Sequence, residues 1–144
     1  MGFTFSDEVD GELADLVLAE LRRENRRRSP ELRAAVERYG EEEPLQVYAL
    51  DGGRLAGGLV GRTWVGWLHV ELLWVREQGR GLGSRLLARA EELAAARGCV
   101  GSRVETWSFQ APGFYQRQGY RIAGEVPGHP PGAVDYTLVK ELGA

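Results

Sequence analysis

Three glycines fall within one short segment of the chain, Gln78-Gly79-Arg80-Gly81-Leu82-Gly83-Ser84. Glycine lets the backbone turn sharply and lets a ligand approach the main chain. The segment precedes a strongly amphipathic run, and a helix that starts there offers unpaired N–H groups at the positive end of its dipole. The spacing therefore predicts a main-chain binding site for a phosphate or a pyrophosphate.

Two familiar phosphate-binding loops do not fit this segment. A nucleoside-triphosphate loop of the form G-x-x-x-x-G-K-[ST] needs a lysine, and the one lysine of the chain is Lys140. A dinucleotide fingerprint, G-x-G-x-x-G, would place its third glycine at Ser84 and would follow the first strand of a βαβ unit. The segment instead follows predicted antiparallel strands, which argues against the dinucleotide loop.

Titratable side chains in apolar surroundings are the next candidates for chemistry. Glu71 lies in the middle of a hydrophobic run, where a carboxylate is costly unless it is paired or functional. We predict that it acts as a general base, pairs with an arginine or recognises a substrate ammonium group. His69 lies two residues earlier on the same strand face and is a rival base. Cys99 has no evident histidine partner, and we expect a buried apolar role for it.

The composition indicates one globular domain over residues 1–144, with 43% hydrophobic and 27% charged residues. A net charge of −3 argues against non-specific nucleic-acid binding, which needs cations on phosphates. One cysteine and two histidines allow neither an internal disulfide nor a cluster of metal ligands. Since the N-terminus lacks a signal-peptide pattern and no apolar run has the length of a membrane span, we expect a cytoplasmic protein without membrane partners.

Alternating helices and strands must position these groups. Apolar spacing predicts a first helix from Asp7 onward, capped by Ser6 or Asp7 itself, and a second helix from Pro30. A tryptophan-rich strand, Trp64 to Val75, is expected to be central and covered on both faces. The other predicted elements are a helix from Leu82 that Gly98 stops, a short helix at 112–118, and strands at 45–50, 55–60, 100–107, 120–126 and 134–139.

Two motifs together resemble the general N-acetyltransferase (GNAT) superfamily. Gln78-x-x-Gly81-x-Gly83 is similar to its [Arg/Gln]-x-x-Gly-x-[Gly/Ala] signature, and Phe114-Tyr115-Gln116-Arg117-Gln118-Gly119-Tyr120 resembles its late helix-and-turn motif. Three further segments resemble a small bacterial branch of the superfamily: Leu73-Trp74-Val75, Glu105-Thr106-Trp107-Ser108-Phe109-Gln110-Ala111 and Gly128-His129. The resemblance covers roughly residues 57–142. With the element order, it implies an α/β domain with a mixed, mostly antiparallel sheet of six to seven strands, splayed central strands and about four helices.

The resemblance implies direct attack of an amine on acetyl-CoA within a ternary complex, without a covalent intermediate or a metal. The acyl donor would lie in a V-shaped gap between splayed strands, with the main chain of Trp74 and Val75 against the pantetheine arm. The segment 78–84 would surround the pyrophosphate. Tyr115 occupies the family's general-acid position, from which a phenol can protonate the departing thiolate.

Two departures from the family pattern affect the donor site. Ser108 stands where many members have an asparagine, which weakens or replaces a hydrogen bond to the cofactor. The link Arg76-Glu77 is shorter than the family's usual one, so the first phosphate contacts can shift by about one or two positions.

The sequence leaves the acceptor open among antibiotic amines, polyamines, amino acids and protein N-termini. We predict that Trp107 and Tyr39 line the acceptor pocket and that His129 is structural or lies at its rim. Monomer and homodimer both stay open. The main alternative is a non-catalytic acyl-CoA-binding or regulatory module with the same fold.

Overall fold

The computed structural model describes residues 2–143 of the chain. The chain divides into two compact units, Met1–Ala34 and Ala35–Ala144. Its N-terminal part forms two helices, α1 (Gly11–Arg28) and α2 (Pro30–Tyr39), and neither contains a buried residue. Among the described residues, no helix is both long and apolar enough to cross a membrane.

Helix α1 begins later than the sequence predicts. Its N-cap is Asp10, whose carboxylate accepts a hydrogen bond from the Leu13 N–H at 3.0 Å. The predicted caps, Ser6 and Asp7, are therefore wrong. Several residues suited to capping precede the apolar spacing, and that spacing alone does not select among them.

The second unit is built on a six-stranded sheet with the spatial order β1-β2-β3-β4-β6-β5. Of its strand pairs, β3–β4 is parallel and the others are antiparallel. This confirms the predicted mixed, mostly antiparallel sheet, and the described residues form four helices. The remaining elements are β1 (Glu43–Asp51), β2 (Arg54–Trp64), β3 (Trp67–Val75), α3 (Leu82–Ala96), β4 (Gly101–Trp107), α4 (Pro112–Arg117), β5 (Arg121–Pro127) and β6 (Val134–Glu141).

A tight turn divides the strand that the sequence predicted at Trp64 to Val75. Trp64 ends β2 and pairs with Trp67 at the start of β3. The two residues between them, Val65 and Gly66, have φ angles of 45° and 85°. A two-residue hairpin requires such left-handed angles, which a β-branched residue rarely adopts, so Val65 concealed the turn from the sequence pattern.

The central strand β3 carries a β-bulge. Leu72 pairs with Val60 and Val70 pairs with Gly61, which leaves Glu71 between them without a partner residue in β2. Gly61 has no room for a side chain, because a Cβ atom there would overlap the His69 carbonyl oxygen. The bulge therefore depends on glycine at position 61, and it bends β3 where a polar residue interrupts its apolar run.

Strands β3 and β4 separate directly beyond the bulge. Their parallel pairing runs from Trp67↔Gly101 to Val70↔Val104 and then stops, although β3 continues to Val75 and β4 to Trp107. The predicted splay of the central strands is thus confirmed. The expectation that β3 is covered on both faces is wrong beyond Val70, since Leu72 and Trp74 are 64% and 54% exposed.

Helix α3 packs on one face of the sheet and fixes the glycine segment at its N-terminus. Its buried residues are Leu86, Leu87, Ala90 and Ala94. The last three join a core that includes Leu45, Leu59, Leu68, Val104 and Leu138. Because residues at i, i+3 and i+4 share a helix face, this one apolar stripe holds the whole helix in place.

Candidate active site

The glycine segment forms an open turn at the start of α3. Gly79 and Gly81 have φ angles of 79° and 74°, a left-handed conformation that glycine adopts without a steric penalty. Gly81 is the N-cap and provides no side-chain hydrogen bond. The N–H groups of Leu82, Gly83 and Ser84 donate to no described residue. Three main-chain donors at the positive end of the α3 dipole are thus available to an anion.

This turn borders a cavity of about 820 Å³, here called the first cavity. The end of β3 and helix α4 form its other sides. Nine of the ten residues predicted to bind the donor line it: Trp74, Val75, Gln78, Gly79, Arg80, Gly81, Leu82, Gly83 and Ser84. Its size lies within the range of pockets that hold small molecules and cofactors, about 300–1,000 Å³.

Ser108, the tenth predicted donor residue, is not among the residues that line the first cavity. Its Oγ accepts a hydrogen bond from the Val134 N–H at 3.0 Å. Its own N–H donates to the Val134 carbonyl oxygen at 2.8 Å. Both groups therefore fasten the end of β4 to β6, and its contact with a cofactor stays a prediction.

Tyr115 lies on α4 and also lines the first cavity. Its ring packs edge-on against Phe114 and Tyr120, with centroid distances of 5.1 and 5.7 Å. Burial raises the pKa of its phenol to about 12. The hydroxyl bonds to no described residue, and the described residues include no fully buried side-chain polar atom without a partner. Tyr115 therefore presents a protonated, unengaged hydroxyl at the cavity surface.

A hydrogen bond from Gln118 Nε2 to Ser84 Oγ, 2.9 Å long, ties the two walls of the first cavity together. The α3 backbone also approaches α4 closely, since a Cβ atom on Gly83 would lie 3.4 Å from the Phe114 ring. Sequence reasoning did not assign this role to Gln118. Its partner lies 34 positions away, and only the tertiary fold brings the two residues together.

A neighbouring cavity of about 390 Å³ lies beside the glycine segment. It is lined by three arginines, Arg76, Arg80 and Arg85. Arg76 donates to the Leu55 carbonyl oxygen and pairs with Asp51, whereas Arg80 pairs with Glu77 at 2.7 Å. The Arg80 guanidinium holds the pKa of Glu77 below its usual value. Arg85 forms no ion pair with a described residue, so its positive charge lies uncompensated next to the open N–H groups.

A second cavity, of about 440 Å³, lies where β3 and β4 separate. Its polar lining comes from three strands: Arg62, His69, Glu71, Arg103 and Glu105. His69 alternates along β3 with the core residues Leu68 and Val70, and Glu71 contacts Arg62, the residue opposite His69. The second cavity therefore lies on the face of the sheet opposite the core. The two cavities therefore flank the point at which the strands part.

Both candidate bases belong to the second cavity. Glu71 Oε1 lies 3.0 Å from Arg62 Nε, and Arg62 forms a second ion pair with Glu42. Burial and the nearby charges of Arg62 and Arg103 lower the pKa of His69 below 6.5, so its imidazole is neutral at pH 7. Glu71 is thus engaged with an arginine, as one of its predicted roles required, while His69 is uncharged.

The remaining sequence candidates lie outside the two cavities. Trp107 stacks on Phe109, and His129 lies 6.5 Å from Trp107 between ring centroids. Tyr39 lies beside Gly66 and Gly98, next to the turn that opens β3 and thus far from the splayed end. Cys99 is buried, and burial raises the pKa of its thiol, which suits the predicted apolar role rather than a nucleophile.

Comparison with known proteins identifies this arrangement. The sequence model of the Acetyltransferase (GNAT) family matches residues 12–120. The chain belongs to the GNAT family. The enzyme is an acyl-CoA-dependent N-acetyltransferase.

Its relatives cover nearly the whole chain. A protein named blasticidin-S acetyltransferase, from Streptomyces morookaense, is 55% identical over 135 residues, covering 88% of this chain and 99% of the relative. An acetyltransferase structure from Agrobacterium tumefaciens is 33% identical with a TM-score of 0.78, covering 99% of this chain and 100% of that one. An acetyltransferase structure from Bacillus cereus is 28% identical with a TM-score of 0.83, covering 96% and 98%.

Proposed function

We propose that this GNAT enzyme transfers the acetyl group of acetyl-CoA directly to a primary amine of a small molecule, and that blasticidin S is the first acceptor to test. The observation that carries the proposal is the pair of cavities on either side of the splayed strands. One offers main-chain donors to an anion and the other offers ionisable side chains. The name of the 55% identical relative supports an antibiotic acceptor.

The first cavity supplies the donor site. The open N–H groups of Leu82, Gly83 and Ser84 bind the diphosphate, and the arginines beside them offset its charge. The pantetheine arm runs along the end of β3, where Trp74 and Val75 have lost their β4 neighbour. The main-chain N–H and C=O groups of β3 that no longer face β4 are available to pair with the amides of the pantetheine arm.

The transfer itself is a nucleophilic substitution at the thioester carbonyl. The amine nitrogen forms a bond to the carbonyl carbon and, now positively charged, releases one proton to solvent. The tetrahedral intermediate then loses the CoA thiolate as the C–S bond breaks. Tyr115 donates its proton to the sulfur, a step that its high pKa permits because the phenol stays protonated at neutral pH. Tyr115 recovers a proton from solvent.

The second cavity supplies the acceptor site and the base. Glu71 accepts the proton that the ammonium form of the acceptor must lose before attack, directly or through a water molecule. Its position at the bulge, next to the end of β3–β4 pairing, places it beside the gap through which the amine must reach the thioester. His69 is the rival base, since it is neutral at pH 7 and lines the same cavity.

The test incubates the enzyme with acetyl-CoA and blasticidin S, and follows both thiol release and the mass of the antibiotic. The proposal expects one acetyl group per molecule and equimolar CoA. A panel of polyamines, amino acids and peptides serves as the comparison. Tight binding of acetyl-CoA without transfer to any amine would overturn the proposal and favour the non-catalytic acyl-CoA-binding module.

A further inference from the structure

The second cavity contains two arginines in one row across the sheet. In the strand register Arg62 lies opposite His69 on one side, and Arg103 lies opposite His69 on the other. All three belong to the closed end of the cavity, just before the last β3–β4 pair, Val70↔Val104. Two guanidinium groups therefore flank one neutral imidazole.

The two arginines differ in their partners. Arg62 is neutralised by ion pairs with Glu42 and Glu71. The Arg103 guanidinium forms neither an ion pair nor a hydrogen bond with any residue in the described part of the chain. Its charge nevertheless reaches into the cavity, because it helps to lower the pKa of His69. The N–H donors of the Arg103 guanidinium thus have no acceptor among the described residues.

A carboxylate that also lacks an ion-pair partner among the described residues lies further along β4. Glu105 follows Arg103 by two residues and lies on the same strand face, about 7 Å away along the strand. It also lines the second cavity and has no ion pair with a described residue. The cavity therefore presents a cation at its closed end and carboxylates towards the gap.

We propose that Arg103 determines acceptor specificity by binding an anionic group, a carboxylate or a phosphate, on the same molecule whose amine is acetylated. The amine then lies near Glu105 and Glu71, towards the gap, while the anion lies against Arg103. A planar guanidinium binds such anions through two parallel hydrogen bonds. This inference rests on the proposed function, since it assigns the acceptor to the second cavity.

The negative net charge of the protein supports a role for Arg103 in binding an anionic acceptor. A net charge of −3 repels anionic substrates in general, so an acceptor that carries an anion requires a local cation. Arg103 meets this requirement on the face of the sheet that the donor site does not use.

The experiment measures acceptor binding by calorimetry, with CoA present in place of acetyl-CoA so that no reaction occurs. The probes are 4-aminobutanoate, 3-aminopropylphosphonate and n-butylamine, which separate a carboxylate, a phosphonate and no anion. We expect either or both anionic probes to bind roughly tenfold more tightly than butylamine. The preferred probe identifies the anion.

Variants locate the effect. In Arg103→Ala the advantage of the anionic probes over butylamine falls to near onefold, and Arg103→Lys keeps part of it. Arg121→Ala is the matched control, because Arg121 is another exposed strand arginine without an ion pair among the described residues. It leaves the advantage unchanged. Equal binding of all probes, no binding of either anionic probe, or equal losses in both alanine variants would overturn the proposal.

The same proteins then separate this inference from the proposed function. Acetyl transfer to butylamine that proceeds without any anion preference would remove the role of Arg103 and leave the transferase activity intact. An anion preference that depends on Arg103, together with no transfer to any amine, would preserve the binding site and reject the reaction.

Discussion

The two cavities on either side of the splayed strands offer different chemical groups, main-chain donors in the first and ionisable side chains in the second. The first is formed by the end of β3, the start of α3 and helix α4, and its open donors are main-chain N–H groups. The second consists of ionisable side chains from β2, β3 and β4. A main-chain site can bind the same diphosphate in every relative, whereas a side-chain site can change its acceptor through a few substitutions.

The largest expected effect comes from the one side chain that the account requires in the first cavity. Tyr115→Phe removes the proton donor while keeping the ring packing, so kcat should fall about 10²- to 10⁴-fold. Binding of CoA, measured by calorimetry, should stay unchanged. Tyr48→Phe on β1 is the control, since Tyr48 is exposed and its hydroxyl donates to Gln46, outside both cavities. Unchanged thiol release in Tyr115→Phe would remove the general-acid role.

A smaller loss is expected in the second cavity. Glu71→Gln should lower kcat/KM for the amine about 10- to 100-fold without weakening CoA binding, because the amide is nearly isosteric but cannot accept a proton at neutral pH. Steady-state kinetics with varied amine checks this. If His69→Gln shows the loss and Glu71→Gln does not, the base is His69.

Substitution of Gly81 tests whether the first cavity depends on main-chain conformation. Valine at this left-handed position costs about 1–2 kcal/mol and should weaken CoA binding by roughly tenfold. Asparagine tolerates such angles better, so Gly81→Asn should retain more affinity. A Cβ atom there meets nothing within 4 Å, so the first carbon of either side chain fits without a clash. Equal calorimetric affinities in all three proteins would contradict a main-chain site.

The smallest effect concerns the electrostatics of the second cavity. The pKa of His69 should lie below 6.5 in an NMR titration of the imidazole. Since Arg103 disfavours the charged imidazole, Arg103→Ala should raise this pKa, and the protonated form should persist to higher pH. Arg121→Ala should leave the titration in place. A pKa that does not move in Arg103→Ala would mean that the guanidinium does not lie beside His69 in the second cavity.

The first cavity is formed by residues close in sequence and the second by side chains from three strands. This difference explains what the sequence could predict. The donor-side residues follow from local spacing, since the signature glycines and the helix start are neighbours in sequence. The second cavity depends on strand register, which sets Arg62 and Arg103 beside His69 and which no motif encodes. Glu71 and His69 were found because a polar residue in an apolar strand is conspicuous, but Arg103 and Glu105 look like ordinary solvent-facing residues.

Two predictions, the course of the strand from Trp64 to Val75 and the N-cap of α1, were wrong for reasons that lie in the residues at those positions. The β2–β3 turn was missed because Val65 occupies a position that usually signals itself by glycine or asparagine. The α1 cap was misplaced because spacing defines the apolar face of a helix better than its first residue. Neither error displaced the glycine segment, because its location depends on β3 and α3, which were predicted from strong apolar patterns.

A crystal structure of the enzyme with CoA tests the central claim most directly. The account predicts that the diphosphate lies within hydrogen-bond distance of the N–H groups of residues 82–84. It also predicts that the thiol reaches the point where β3 and β4 part, near the Tyr115 hydroxyl. A diphosphate bound away from the α3 N-terminus, or a thiol directed away from that gap, would contradict it.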